Sequence, residues 1–205
     1  MPPLTEQHKL NRVAWCVFYA GIDWSRVFFT DETYFLLIRA KNRYWSIERP
    51  TMASPLQCPK LGVWGGISQR GKTELHFFSS SIDSLYYQDI LNEVLIQEAN
   101  ALYPDGWFLV QDNARTHVSA STKLFFEERS INVLDWPSLS PDLNPVENVW
   151  ALMKHAVEKK LPTTLAQLKL VIQEVWQEIE TENFCLSMPH RIEECLTLEG
   201  ETTSY

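Results

Sequence analysis

Three acids interrupt stretches that are otherwise fit for a protein core. Asp31 ends the β-rich run Val27-Phe28-Phe29-Thr30, Asp112 lies just past the apolar run Trp107-Phe108-Leu109-Val110, and Glu147 follows Asn144-Pro145-Val146. Carboxylates gathered from separate elements can hold Mg²⁺, which takes oxygen ligands and keeps several waters, so a few acids and a substrate phosphate suffice. Two such ions about 4 Å apart activate the attacking oxygen and stabilise the leaving one in phosphoryl transfer. Each acid also has an ordinary explanation. Asp and Asn favour turns at strand ends, and Asn144, Pro145 and Glu147 fit an N-cap, a first helical position and a capping-box acid. Side chains alternate along a strand, so Asp31 and Glu32 point to opposite faces and only one can serve a given site. Lys154 lies about two turns beyond Glu147 on the same helical face, suited either to a phosphate or to plain solvation.

No other chemistry is spelled out. The chain has no GxSxG elbow, P-loop, HExxH or GxGxxG. Cys16, Cys58, Cys185 and Cys195 lie far apart with no CxxC or Cys/His pairing. That is neither a zinc site nor a disulfide framework, and it suits a reducing compartment.

The elements that must carry these acids follow from periodicity. His8–Ala20 has helical apolar spacing, and a strand runs from Val27 to about Ile38. Lys41–Lys60 is polar and broken by Pro50, Pro55 and Pro59. Strands are expected at Leu61–Ser68 and Glu74–Phe78, joined by a hairpin turn at Ser68–Lys72. A helix over Ser84–Leu102 stops near Pro104-Asp105-Gly106, and Trp107–Val110 reads as a buried central strand. A helix over Ser119–Arg129 and a strand over Ile131–Leu134 follow. Helices are expected over Pro145–Lys160, Leu165–Ile179 and about Phe184–Cys195. Trp64 and Trp150 read as core, and Leu165, Leu168, Ile172, Val175 and Ile179 as a packing stripe. Hairpin-linked strands followed by strand–helix alternation give one α/β domain over residues 1–205, with a mixed five-stranded sheet flanked by helices. Residues 1–25 form its lead-in.

Length and composition agree with such a domain. The 205 residues are 45% apolar and 21% charged, with 12% aromatic content including eight Trp and ten Phe. Apolar runs are far too short to cross a bilayer, and the polar segment after Met1 is not a signal peptide, so a soluble, intracellular protein is expected. A formal charge of −8 counts against a surface that grips DNA phosphates, unless the main DNA-binding surface lies elsewhere.

Four stretches nevertheless resemble the mariner superfamily of DNA transposases. They are Val27-Phe28-Phe29-Thr30-Asp31-Glu32-Thr33, Val63-Trp64-Gly65-Gly66-Ile67, Gln111-Asp112-Asn113-Ala114-Arg115-Thr116-His117 and Ser140-Pro141-Asp142-Leu143-Asn144-Pro145-Val146-Glu147-Asn148-Val149-Trp150. The 34 residues between Asp112 and Glu147 match the branch of that family whose third acid is Glu. The resemblance implies an RNase H-like fold in which the first strand neighbours the Trp107–Val110 strand, bringing Asp31 beside Asp112, with Glu147 swung in by its helix. It implies Asp31, Asp112 and Glu147 as catalytic, metal-binding acids holding two Mg²⁺ or Mn²⁺ ions. It implies nicking at transposon ends and attack of the freed 3′-hydroxyl on target DNA, by a homodimer or larger assembly, in the nucleus if the host is eukaryotic. Family members carry N-terminal helix-turn-helix domains, which are not found here, and a clamp-like loop whose place, residues 41–60, is short in this chain. Lys41, Arg43, Arg115, His117 and Lys154 are the expected DNA contacts. A host-adopted, non-cutting relative and a hydrolysis-only nuclease of the same fold remain alternative readings.

Overall fold

The computed structural model describes residues 3–37 and 59–205. Its first helix, α1 (Glu6–Tyr19), begins at Thr5, whose hydroxyl accepts from the His8 N–H while the His8 ring accepts from the Thr5 N–H. These reciprocal bonds satisfy amide groups that a helix start leaves unpaired. Arg12, Trp15 and Cys16 form the buried face of α1.

Strand β1 (Val27–Leu36) is the centre of the sheet. It pairs antiparallel with β2 (Lys60–Ser68) and parallel with β5 (Phe108–Val110), whose far edge takes the two-residue β6 (Asn132–Val133). The far side of β2 carries both β3 (Gly71–Lys72) and β4 (His76–Phe78). The sheet is therefore mixed, as expected, but among the described residues it is six-stranded rather than five-stranded. The physical reason is a bulge. Three residues, Thr73 to Leu75, oppose only Gly65 and Gly66, so the returning strand splits in two. Thr73 fills the break, donating its N–H to Gly66 O at 2.8 Å and accepting the Gly66 N–H on its hydroxyl at 2.9 Å.

Alternation along β1 divides the core. Phe29 and Phe35 face one layer with Trp150, Ile172 and Trp176, while Phe28 faces the other with Tyr87, Leu91 and Phe126. The first layer holds α1, α5 (Pro145–Lys159), α6 (Leu165–Glu178), α7 (Glu182–Leu186) and α8 (Met188–Thr197). The second holds α2 (Ser84–Ile90), α3 (Ile96–Leu102) and α4 (Ala120–Glu128). A π-helical turn, Leu91–Leu95, links α2 to α3 inside the stretch read as one helix. The single helix expected near Phe184–Cys195 is two, α7 and α8. Pro189 has no N–H to continue the ladder, and the Ser187 hydroxyl donates to Phe184 O at the break. Trp64 and Trp150 are fully buried, as are Leu168 and Ile172, whereas Leu165 at the head of the expected stripe is 43% exposed.

One glycine sets how closely α5 approaches the sheet. Gly65 pairs with Asp31, and a Cβ there would stand 2.8 Å from Leu75 Cδ2 and 3.1 Å from Trp150 Cη2. Its missing side chain lets Trp150, and with it the helix carrying Glu147, press onto the sheet beside Asp31.

Candidate active site

A cavity of about 500 Å³ opens where β1, the end of β5 and the start of α5 meet, and Asp31, Asp112 and Glu147 all line it. Parallel pairing of Phe29 with Val110 fixes the relation of the two aspartates, since Asp31 and Asp112 each lie two residues beyond that pair. Asp112 also makes the turn that its position suggested, because its Oδ1 accepts the Ala114 N–H at 2.9 Å. The turn and the cavity are thus compatible roles for one residue. Glu147 is different. Asn144 caps α5 by accepting from Val146 N–H, but the Asn144 N–H is given to Pro141 O at 2.9 Å. The capping box read from sequence does not form, and the Glu147 carboxyl turns to the cavity instead. Asn144 Nδ2 also donates to Thr30 O at 3.4 Å, tying the start of α5 to β1 next to Asp31.

The opposite wall is the segment from Trp136 to Pro141. It turns through Leu139, which adopts a left-handed conformation with φ 55°, unusual for a bulky residue. Asn113 Nδ2 holds Trp136 O at 2.8 Å. Behind this wall Asp142 is buried and braced on several sides. Arg12 donates to both its carboxylate oxygens at 2.8 and 2.6 Å, the Thr203 N–H donates to Oδ2 at 2.8 Å, and Arg191 donates to its backbone oxygen at 2.6 Å. Burial works against the Asp142 charge, but Arg12 and Thr203 outweigh it and hold the carboxyl below its ordinary range.

Electrostatics separate the three cavity acids. Asp31 is pushed well above the usual carboxylate range by desolvation, then by the charges of Glu147, Glu32 and Asp112. Glu147 is raised too, chiefly by burial, with Lys154 pulling the other way and a hydrogen bond joining it to Asp31. Burial and mutual repulsion thus both work against charging these two neighbouring carboxyls. Asp112 is lowered, above all by its bond to His117. His117 Nδ1 lies 2.7 Å from Asp112 Oδ1 and Nε2 lies 3.2 Å from Glu32 Oε1. Burial alone would lower His117, but the two carboxylates prevail and lift it to about 10.

The donor set suits a hard divalent cation. It is all oxygen, it concentrates negative charge, and no described basic side chain forms an ion pair with Asp31 or Glu147. Among the described residues no three His, Cys, Asp or Glu side chains are already closed into a metal cluster.

The expected DNA contacts scatter. Arg115 is exposed and outside the cavity lining. Lys154 is half-buried in a neighbouring groove of about 220 Å³ with Tyr34 and Leu36. His117 is only 4% exposed, with both ring nitrogens facing carboxylates, so it presents no nitrogen to a phosphate. Lys41 and Arg43 lie outside the described residues. Sequence reasoning misses the wall around Leu139 and the burial of Asp142, because neither leaves a periodic mark. Glu32 is visible beside Asp31, but its link to Asp112 depends on a histidine that is distant in sequence.

Residues 26–169 match the DDE superfamily endonuclease family. The chain belongs to that family. Within it, the chain is 33% identical to the Tc3 transposase of Caenorhabditis elegans over 218 residues and 30% identical to the Tcb2 transposase of Caenorhabditis briggsae over 220. Both alignments take in the whole of this chain, which spans 65% of the Tc3 protein and 80% of Tcb2. These relatives are of the Tc1/mariner type that the four motifs resembled. This DDE domain also superposes on the catalytic domain of Mos1 transposase, solved with Mg and raltegravir, with a TM-score of 0.79 at 18% identity, covering 97% of this chain and 98% of the other. The Mos1 paired-end complex with its left transposon end gives a TM-score of 0.81 at 20% identity, over 98% of this chain and 65% of that one. At such low identity the likeness concerns the fold, and the RNase H-like architecture expected from the motifs is the one observed. Among the described residues no helix is long and apolar enough to cross a membrane.

Proposed function

We propose that this DDE domain is the catalytic part of a cut-and-paste transposase, cutting phosphodiester bonds at transposon ends and joining the 3′-hydroxyl to target DNA. The observation that carries the reading is the meeting of Asp31, Asp112 and Glu147 in one cavity, although they come from a mid-strand, a strand end and a helix start. In this reading the three carboxyls hold two divalent ions, Mg²⁺ or Mn²⁺. When bound, such ions supply positive charge to the attacking and leaving oxygens of the phosphate. Asp31 and Glu147 would hold the cation as carboxylates, its positive charge offsetting the burial and repulsion that raise them. Asp112, held low by its bond to His117, would offer the carboxylate oxygen that has no hydrogen bond from a described residue. Lys154, whose charge lowers Glu147 from the neighbouring groove, would help neutralise a phosphate approaching that acid. The whole of residues 1–205 acts as one catalytic domain. The Mos1 paired-end complex supports an assembly that joins two ends, and the eukaryotic relatives support a nuclear setting.

The test uses a labelled transposon-end duplex with Mn²⁺ and the full-length protein. Glu147→Gln is expected to abolish nicking with little change in melting temperature, because Glu147 is not serving as a cap. Kept activity with lost stability would return Glu147 to a structural role. Joining of a pre-cut 3′-hydroxyl end separates a transposase from a nuclease that only hydrolyses.

DNA binding by residues 1–205 alone is expected to be weak and indifferent to sequence, since 18 basic residues face 26 acidic ones. The logarithm of affinity should fall with that of salt as for roughly two to four phosphate contacts, at about 0.9 per contact. Lys41, Arg43, Arg115 and Lys154 are the proposed contributors, and alanine at Arg115 or Lys154 should flatten the slope by about one contact each. Fluorescence anisotropy on end and scrambled duplexes reads this out. Tight binding confined to the end sequence would place end recognition within this domain.

A further inference from the structure

Glu32 has no place in the cavity. It follows Asp31 on β1 but faces the other layer, and its side chain is 20% exposed. Its Oε1 meets Nε2 of His117 at 3.2 Å, and the same ring meets Asp112 Oδ1 through Nδ1 at 2.7 Å. Tyr87 backs the imidazole with ring centroids 4.1 Å apart, and the Tyr87 hydroxyl is fixed in turn by donating to Gln111 Oε1 at 2.6 Å. The ring is thus gripped at both nitrogens and on one face. Asp112 Oδ1 also receives the Ala114 N–H at 2.9 Å, and His117 Nδ1 meets the Asp112 backbone oxygen as well, at 3.3 Å, whereas Oδ2 has no hydrogen bond from a described residue. An unbraced aspartate otherwise samples several χ1 wells and a broad χ2, so neither oxygen keeps one direction.

We infer that Glu32, acting through His117, is a positioning residue that locks the Asp112 carboxylate with one oxygen toward the cavity, and that it thereby sets the affinity of the acid cluster for a divalent cation. The inference rests on the proposed reading of Asp112 as a metal-binding acid. It gives Glu32 a function despite its facing away from Asp31, and makes His117 a brace rather than a phosphate contact. Partners that orient a metal-binding carboxylate or imidazole from behind are typically worth about 10–100-fold in metal affinity.

Isothermal titration with Mn²⁺, together with metal-free melting temperatures, tests this on the protein without DNA. Glu32→Ala is expected to weaken Mn²⁺ binding about tenfold or more. Glu32→Gln should restore most of that loss, because its amide oxygen still accepts from Nε2. In an Asp112→Asn background, Glu32→Ala should add little, as expected of two residues acting in one unit. Mn²⁺ affinity unchanged by Glu32→Ala, while Asp112→Asn weakens it sharply, would overturn the inference and leave the metal site standing. Affinity unchanged by Asp112→Asn would remove the metal-site reading and the inference together. If Glu32→Ala does not fold, His117→Asn takes its place. The Asn amide can still reach Asp112 from the Nδ1 side but is too short to reach Glu32, so weakened binding is expected and wild-type binding would overturn the inference.

Discussion

Asp31→Asn is expected to make the metal-free protein more stable while nearly abolishing strand cleavage. Asp31 is held well above its ordinary range by desolvation and by the charges of Glu147, Glu32 and Asp112. An acid whose folded-state pKa is raised adds its full stability below its unfolded value, near 3.9, and loses it as pH rises through the folded value. At neutral pH the native chain therefore carries a penalty for ionising Asp31 that Asn avoids. A higher melting temperature is expected, about 2–4 °C for each kcal/mol of penalty relieved in a chain of this size, with the gain largest at high pH and vanishing toward acid. Saturating Mn²⁺ should reverse the order, stabilising the native chain and not the variant, since a ligand that binds only the folded state adds to its stability. Nicking should fall on the order of 10²–10³-fold or more, the scale of losing a group that stabilises transition-state charge. Differential scanning calorimetry at several pH values with and without Mn²⁺ checks the first part, and end-nicking kinetics the second. A variant that melts lower at every pH and still cuts would refute the role given to Asp31.

The second large effect concerns an acid that sits in the same motif as Glu147 but does not line the cavity that Glu147 enters. Asp142→Ala should destabilise the domain by about 3–5 kcal/mol, the range found when one partner of a buried ion pair is removed. Arg12 is 0% exposed and donates to both Asp142 oxygens, so the truncation strands a buried guanidinium. Its Nε bond to Gly200 O at 2.8 Å does not compensate for the charge. The pair joins α1, the wall of the cavity and the residues after α8, with Thr203 as a further donor to Asp142. Because Asp142 is lowered in the folded state, its contribution is present above the ordinary Asp range and disappears as pH falls through the folded value. Urea unfolding at neutral pH provides the measurement. The double change Arg12→Met with Asp142→Leu should lose less than the sum of the two single changes, because no charge is left unpaired. Additive losses would mean that the two residues contribute independently and that the wall is braced by other contacts.

Local order carries the sheet-forming part of this molecule a long way. The β-rich run from Val27 and the apolar run before Asp112 mark two strands. The three-dimensional neighbours of these runs then bring Asp31 and Asp112 together without any special device. Helical spacing marks α1, α5 and α6, and the four motifs point to the family by themselves. These features are legible because each depends on residues two to four apart, or on a chain segment that keeps its own signature. The −8 charge is legible in the same way, and it bears on DNA binding rather than on the fold.

Other features depend on meetings that no local pattern encodes. Whether Glu147 caps its own helix or enters the cavity is undecided in the sequence, because both readings require the same residue at the same spacing. The choice turns on Asn144, whose N–H goes to Pro141 O and leaves nothing for Glu147 to cap. Glu32 gains a role through His117, 85 positions away, and Asp142 through Arg12, 130 positions away. The separate strand β3, formed by Gly71–Lys72 in the stretch read as a turn, and the start of β4 only at His76 follow from a single extra residue opposite Gly65 and Gly66. In each case the deciding quantity is a hydrogen bond or a desolvated charge, whose strength depends on what else is packed around it. Hydrophobic periodicity survives averaging over many residues, but one polar contact does not, so the sequence outlines the scaffold and names the acids while tertiary packing decides how each is held and charged.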